Sequence, residues 1–170
     1  MPKISYVYCD ANVFLSYING EKEHIDLLEQ FFQEIQQDKS RKIVTSILSI
    51  TEVAHSDQEK KPNRVSDKIL DHIDAFWGDP SLIEFVDFNE VLARQARALV
   101  RQAITNKFAL SPNDSIHLVS AKYVGTTDLF TYDKKLYKFS DMVGFNISEP
   151  FVNNPKLPLD FEKGKDDSTS

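Results

Sequence analysis

The stretch Ile4-Ser-Tyr-Val-Tyr-Cys-Asp10-Ala-Asn-Val-Phe14 decides how the chain is read. Ile4 to Cys9 is short, apolar, β-branched and aromatic, the signature of a buried strand. Asp10 ends that strand, and a helical stretch around Val13–Ile18 follows it directly. Open α/β sheets bind ligands outside the carboxyl ends of their strands, so a carboxylate here has two roles open to it. It can cap the helix beginning at Ala11, or it can face a ligand.

Working outward, the same alternation recurs. Ile25, Leu28, Phe32 and Ile35 return every three or four residues and predict a helix over 23–37. Lys42–Val44 reads as a brief strand, and Ile47, Ile50 and Ala54 mark a helix with Glu52 in its interior. The polar run Ser56–Asn63 reads as a loop. A helix over 65–76 is stopped by Gly78-Asp79-Pro80, and Leu82–Val86 reads as a strand. A long helix over 89–106 takes Val91, Leu92, Leu99, Val100 and Ala103 as its apolar side. Ser111-Pro112 opens the next helix, with Ser at the N-cap and Pro at the first helical position. Asp128–Thr131 reads as a strand, Asp133–Tyr137 as a helical turn, and Gly144–Ile147 as a last edge strand. Strands alternating with helices predict an α/β fold, an α/β/α sandwich around a central, mainly parallel sheet. The domain is expected over residues 1–148, with 149–170 a flexible tail containing Pro150, Pro155 and Pro158.

Composition bounds the function. The chain has 170 residues, enough for one core, and 41% hydrophobic with 27% charged residues suits a globular domain. No apolar run is long enough to span a bilayer, and Met1-Pro2-Lys3 leads into a strand rather than a signal peptide. A cytoplasmic protein with no membrane partner is the expectation. Cys9 is the sole cysteine, so an internal disulfide and a cysteine zinc site are excluded. The net charge of −6 argues against a broad basic grip on nucleic acid, although carboxylates gathered around cations would also make a chain acidic.

Asp10, Glu52, Asp114 and Asp133 are the candidate site. Asp114 stands three residues after Ser111, the spacing of a capping box, and Asp133 can cap the turn that follows it. Three acids at junctions and one on a helix could converge at one sheet edge, where their repulsion would require cations. Hard oxygen ligands without Cys or clustered His select Mg²⁺ or Mn²⁺. The histidines at 24, 55, 72 and 117 show no ligand spacing and are expected to be satisfied and non-catalytic.

The segments Tyr8-Cys-Asp-Ala-Asn-Val-Phe14, Thr45-Ser46 through Thr51-Glu52-Val53, Ser111-Pro-Asn-Asp-Ser-Ile-His-Leu118 and Leu129-Phe-Thr-Tyr-Asp133 resemble the PIN-domain nucleases. Their order and spacing are most similar to the compact VapC-type toxins of toxin–antitoxin pairs, over residues 4–147. The resemblance implies a parallel sheet with helices on both faces and a metal-dependent endoribonuclease acting on RNA. It implies Asp10, Glu52, Asp114 and Asp133 as both catalytic and metal-binding residues. One ion would be held mainly by the three aspartates, with Glu52 positioning a second ion or the attacking water. It further implies Asn12 as support for Asp10, Ser46 and Thr131 as hydroxyls lining the site, and His117 in a packing role. A cognate antitoxin and a homodimer are the partners it allows. Ala11 departs from the Thr that is commoner after the first aspartate, and the tail from Glu149 has no counterpart.

Three other readings stay open. An inactive PIN-like binding module would keep the fold without needing four converging acids. A solitary PIN nuclease in RNA processing would show the same residues. An aspartyl-phosphate enzyme would usually carry an acid two residues after Asp10, where this chain has Asn12. For RNA contact the expected residues are Arg94, Arg97 and Arg101, one stripe at i, i+3 and i+7, extended by Lys107. The competing reading is a solvated face on which Glu90 pairs with Arg94.

Overall fold

The structure is a computed structural model, described over residues 4–155. Its elements in chain order are β1 (Ser5–Cys9), α1 (Ala11–Ile18), α2 (Ile25–Gln37), β2 (Arg41–Ser46), α3 (Leu48–Glu52), α4 (Asp57–Lys60) and α5 (Asp67–Trp77). There follow β3 (Ile83–Val86), α6 (Glu90–Thr105), α7 (Pro112–Val124), β4 (Asp128–Phe130), a 3₁₀ turn (Lys134–Phe139), α8 (Ser140–Val143) and β5 (Asn146–Ser148).

All five strands are parallel, in the order β3-β2-β1-β4-β5. β1 is therefore central, and the strand order reverses around it. Its pleat divides the core. Val7 and Cys9 face α1, α2 and α5 with Ile43, Ile83 and Phe130. Tyr8 faces α6, α7 and α8 with Val44, Val86 and Leu129. Two buried faces explain why the strands read as continuous apolar runs, and the sandwich architecture is as the alternation predicts.

Aromatic rings fill the first layer. Phe14 meets Phe76 and Trp77 edge-on at 5.8 and 5.0 Å and stacks on Phe32 at 6.4 Å. Such contacts bind α1 to α2 and α5 beyond simple area burial.

Four local expectations are corrected. The segment after Ser56 is not wholly loop: α4 begins there, with the Ser56 backbone N–H donating to Glu59 Oε2 at 3.0 Å. Glu52 is the last residue of a one-turn helix, not an interior position. On α6 the buried residues are Leu92, Ala96, Leu99 and Ala103, while Val91 is 60% exposed. The helix packs through its small alanines, which bring it close to α7, and this turns Val91 outward. Ser140–Val143 forms α8, where no element was expected.

Of the expected tail, residues 149–155 are described and the remainder lies outside the described residues. Phe151 packs edge-on against Phe130 at 5.1 Å, and the Asn153 backbone N–H donates to Glu34 Oε2 at 2.9 Å. Glu34 also takes Arg41 Nη1 at 2.6 Å, so one carboxylate ties this segment to α2 and β2. Among the described residues no helix is long and apolar enough to cross a membrane.

Phe14→Ala should cost about 3–5 kcal/mol, the usual penalty for emptying a buried aromatic site. Because Trp77 is the sole tryptophan and touches Phe14, urea unfolding followed by its fluorescence should show both a lower midpoint and an altered native signal.

Candidate active site

The C-terminal ends of the parallel strands carry the acids. Asp10 follows β1, Glu52 closes the helix after β2, and Asp133 follows β4 by three residues. Asp114 lies in the first turn of α7, one helical turn before His117.

Asp10 is the most buried of the four, 4% exposed. Its Oδ1 accepts from the Asn12 backbone N–H at 3.2 Å, which makes it the N-cap of α1. Its Oδ2 accepts from Asn12 Nδ2 at 3.0 Å. The same amide nitrogen donates to Thr131 Oγ1 at 3.0 Å, and Asn12 Oδ1 accepts from the Tyr132 backbone N–H at 2.8 Å. Thr131 Oγ1 in turn accepts from the Asp133 backbone N–H at 2.9 Å. Asn12 and Thr131 thus lock the end of β1 to the segment carrying Asp133. Asp133 caps its own 3₁₀ turn, accepting from the Lys135 backbone N–H at 2.9 Å.

Burial pushes the Asp10 carboxyl up to about 6, with the His117 charge and the bonds from Thr131, Val13 and Asn12 pulling the other way. Desolvation wins because no cation pairs with Asp10 among the described residues.

A second chain of contacts holds Glu52. His117, buried at 3% exposure, approaches Glu52 Oε2 with Nε2 at 2.6 Å and the Tyr8 hydroxyl with Nδ1 at 2.8 Å. The Tyr8 hydroxyl accepts from the Ser46 backbone N–H at 2.9 Å, and burial pushes that phenol far up, so it stays neutral. Asn113 Nδ2 donates to Glu52 Oε1 at 3.2 Å. Both ends of the Glu52 carboxylate are therefore held from α7. His117 is more than the packing residue the sequence suggests. The only signal for it was its place three residues after Asp114.

Asp114 makes a closed pair with its cap. Ser111 Oγ accepts from the Asp114 backbone N–H at 3.1 Å and donates to Asp114 Oδ2 at 2.6 Å. Ser46 lies deeper than a lining residue would, accepting with Oγ from the Leu48 backbone N–H at 3.3 Å to start α3.

The links relate Asp10, Glu52 and Asp133 without packing them tightly, and Asp114 joins them only through its neighbour Asn113, which bonds Glu52. Asp10 feels His117, which holds Glu52, and Tyr137 feels both Asp10 and Asp133. Among the described residues, however, no three His, Cys, Asp or Glu side chains stand close enough together to hold a metal ion. The donors suit a hard cation in kind, since all four are carboxylates and one is buried without a counter-charge. Glu52 and Asp114 spend oxygens on His117, Asn113 and Ser111, the same oxygens an ion would claim.

Of the expected RNA-contacting residues, Arg94 bonds Glu90 through Nη2 at 2.6 Å, the solvated-face alternative. Arg97 and Arg101 are exposed on the face of α6 opposite its buried positions and form no ion pair within the described residues. Lys107 follows the helix in a left-handed conformation, φ 61°.

The family model for the PIN domain matches residues 7–142. No curated protein matches by sequence. Among solved structures, the chain is similar to one in VapBC2 from Rickettsia felis bound to a DNA fragment from its promoter, with TM-score 0.62 and 16% identity. That match covers 84% of this chain and 98% of the other. VapC20 from Mycobacterium tuberculosis, described as a Sarcin-Ricin loop cleaving toxin, matches with TM-score 0.59 and 13% identity, over 82% of this chain and 95% of its own. DNA-bound VapBC from Salmonella typhimurium matches with TM-score 0.59 and 17% identity, over 86% and 98%.

Without divalent ions, raising the pH through the window from about 4 to about 6 should destabilise the protein through Asp10. A carboxyl whose folded-state value is raised holds its proton in the native state after the unfolded chain has lost it, so stability falls as pH rises. A shift from 3.8 to about 6 corresponds to roughly 3 kcal/mol. Thermal melts of wild type and Asp10→Asn across this window should diverge, with the variant lacking that part of the fall.

Proposed function

The chain belongs to the PIN-domain family, and from that premise we propose that it is a metal-dependent endoribonuclease, the toxin of a type II toxin–antitoxin pair. The observation that carries the reading is the buried Asp10 carboxyl at the topological switch point, bridged through Asn12 and Thr131 to Asp133. The likeness of the fold to chains from VapBC assemblies supports the toxin role and an antitoxin partner. The likeness to VapC20, a Sarcin-Ricin loop cleaving toxin, supports RNA as the substrate.

Asp10, Glu52, Asp114 and Asp133 would hold Mg²⁺ or Mn²⁺. Bound there, the ion would polarise a phosphoryl oxygen and lower the pKa of water. The chain's own residues supply placement. Asn12 and Thr131 fix the direction of the Asp10 carboxylate, as outer partners commonly orient ligands. His117 fixes Glu52, and because Tyr8 occupies its other nitrogen, the ring cannot turn without breaking a buried bond. Water oriented on Glu52 would attack the phosphorus in line, leaving a 5′-phosphate and a 3′-hydroxyl.

The inactive-module reading predicts no metal binding at all, and calorimetry separates the two. Asp114→Asn and Asp10→Asn should each abolish cleavage of a mixed-sequence RNA while circular dichroism stays native. EDTA should stop the wild type, and Mn²⁺ or Mg²⁺ should restore it better than Zn²⁺. Full activity of purified Asp114→Asn, or activity surviving exhaustive chelation, would remove the assignment.

A further inference from the structure

The loop between α6 and α7 and the 3₁₀ turn after β4 meet through an aromatic–cation cluster that the carboxylate site does not use. Lys138 Nζ lies 5.1 Å from the centre of the Phe108 ring and 5.5 Å from that of Phe139. The two rings meet edge-on at 5.7 Å, so the ammonium is held over a rigid pair. Side chains three apart on a 3₁₀ helix eclipse one another, which places Lys135 on the same face as Lys138. Lys107 adjoins Phe108 on the other segment, its left-handed backbone set by bonds from its own N–H to Ile104 and from Phe108 to Ala103. All three lysines are exposed, and none forms an ion pair within the described residues; the neighbouring Lys134 is the one facing Glu149, at 3.7 Å.

The strip has an acid at each end. The Lys135 backbone N–H caps onto Asp133, and the loop after Phe108 leads through the Ser111 cap to Asp114. On a chain of net charge −6, such a strip is where a polyanion can approach the carboxylates. We propose that Lys107, Lys135 and Lys138 form a phosphate track that leads single-stranded RNA along the rim from Asp133 to the loop before Asp114. This rests on the nuclease reading and assigns that reaction its substrate-binding surface. Holding Lys138 against the rings reduces the freedom lost when its ammonium meets a phosphate, so the contact is prepared before RNA arrives. Arg97 and Arg101 are the rival surface, and they carry no comparable fixing contact among the described residues.

The test is the salt dependence of RNA binding, read by fluorescence anisotropy of a labelled mixed-sequence single strand in EDTA. The variant Lys107→Asn/Lys135→Gln/Lys138→Gln keeps the stems at 135 and 138 and a residue tolerant of the left-handed backbone at 107. Each lost phosphate contact should flatten the plot of log K against log[salt] by roughly 0.7, so the triple variant should lose about 2. Lys60→Gln/Lys61→Gln/Lys68→Gln changes net charge equally and should leave the slope unchanged. An unchanged slope in the rim variant overturns the track. So does an equal fall in the control, or a fall confined to Arg97→Gln/Arg101→Gln. A wild type that binds and cleaves RNA while the rim variant keeps its slope removes the track alone. A wild type that neither binds nor cleaves removes the nuclease reading with it.

Discussion

Asp10 is taken out of water at the end of the central strand, and much of the rest follows from what that costs. A buried carboxylate needs hydrogen bonds or a counter-charge. Here Asn12 supplies bonds from its backbone and its side-chain amide, and that amide is fixed by Thr131 and the Tyr132 backbone. The fixing partners all lie just past β4, so satisfying Asp10 also sets where β4 ends. Asp133 is then aimed by Thr131 and by its own turn. The bonds leave the Asp10 carboxyl raised to about 6, so the site as folded is still short of positive charge.

Glu52 is governed from the other face of the sheet. The pleat of β1 sends Tyr8 into the second layer, where its hydroxyl joins Ser46 of β2 to His117 of α7. One tyrosine on the central strand therefore sets the ring that holds Glu52. The two halves of the site depend on consecutive parts of one short strand, Tyr8 through His117 and Asp10 through Asn12. This is why the stretch from Ile4 to Phe14 is informative out of proportion to its length.

The elements of the sandwich were legible because doubly buried strands and capped helices leave strong local signals. Ser111-Pro112 and the strand-ending Asp10 are examples, each confirmed by its bonds. The long-range bonds were not legible. Nothing local marks His117 as the partner of Glu52, 65 residues away, because the pairing depends on how α7 crosses β2. Val91 was assigned to the core by hydrophobicity, whereas the alanines of α6 set the packing face by being small. The capping-box spacing of Ser56 and Glu59 was present in the sequence but was outweighed by the polarity around it.

The choice between cap and ligand for the three aspartates is not a real alternative. A cap engages one lone-pair direction of one oxygen, and a carboxylate has about four. Asp10, Asp114 and Asp133 each receive a backbone or hydroxyl donor from their own helix start, which holds the side chain in one rotamer. Each lies at the start of a helix or turn, where exposed backbone N–H groups favour a nearby negative charge. That contribution offsets part of the mutual repulsion expected of carboxylates gathered at one edge. For Asp10 burial outweighs these contributions, which leaves the carboxyl at the end of β1 raised to about 6.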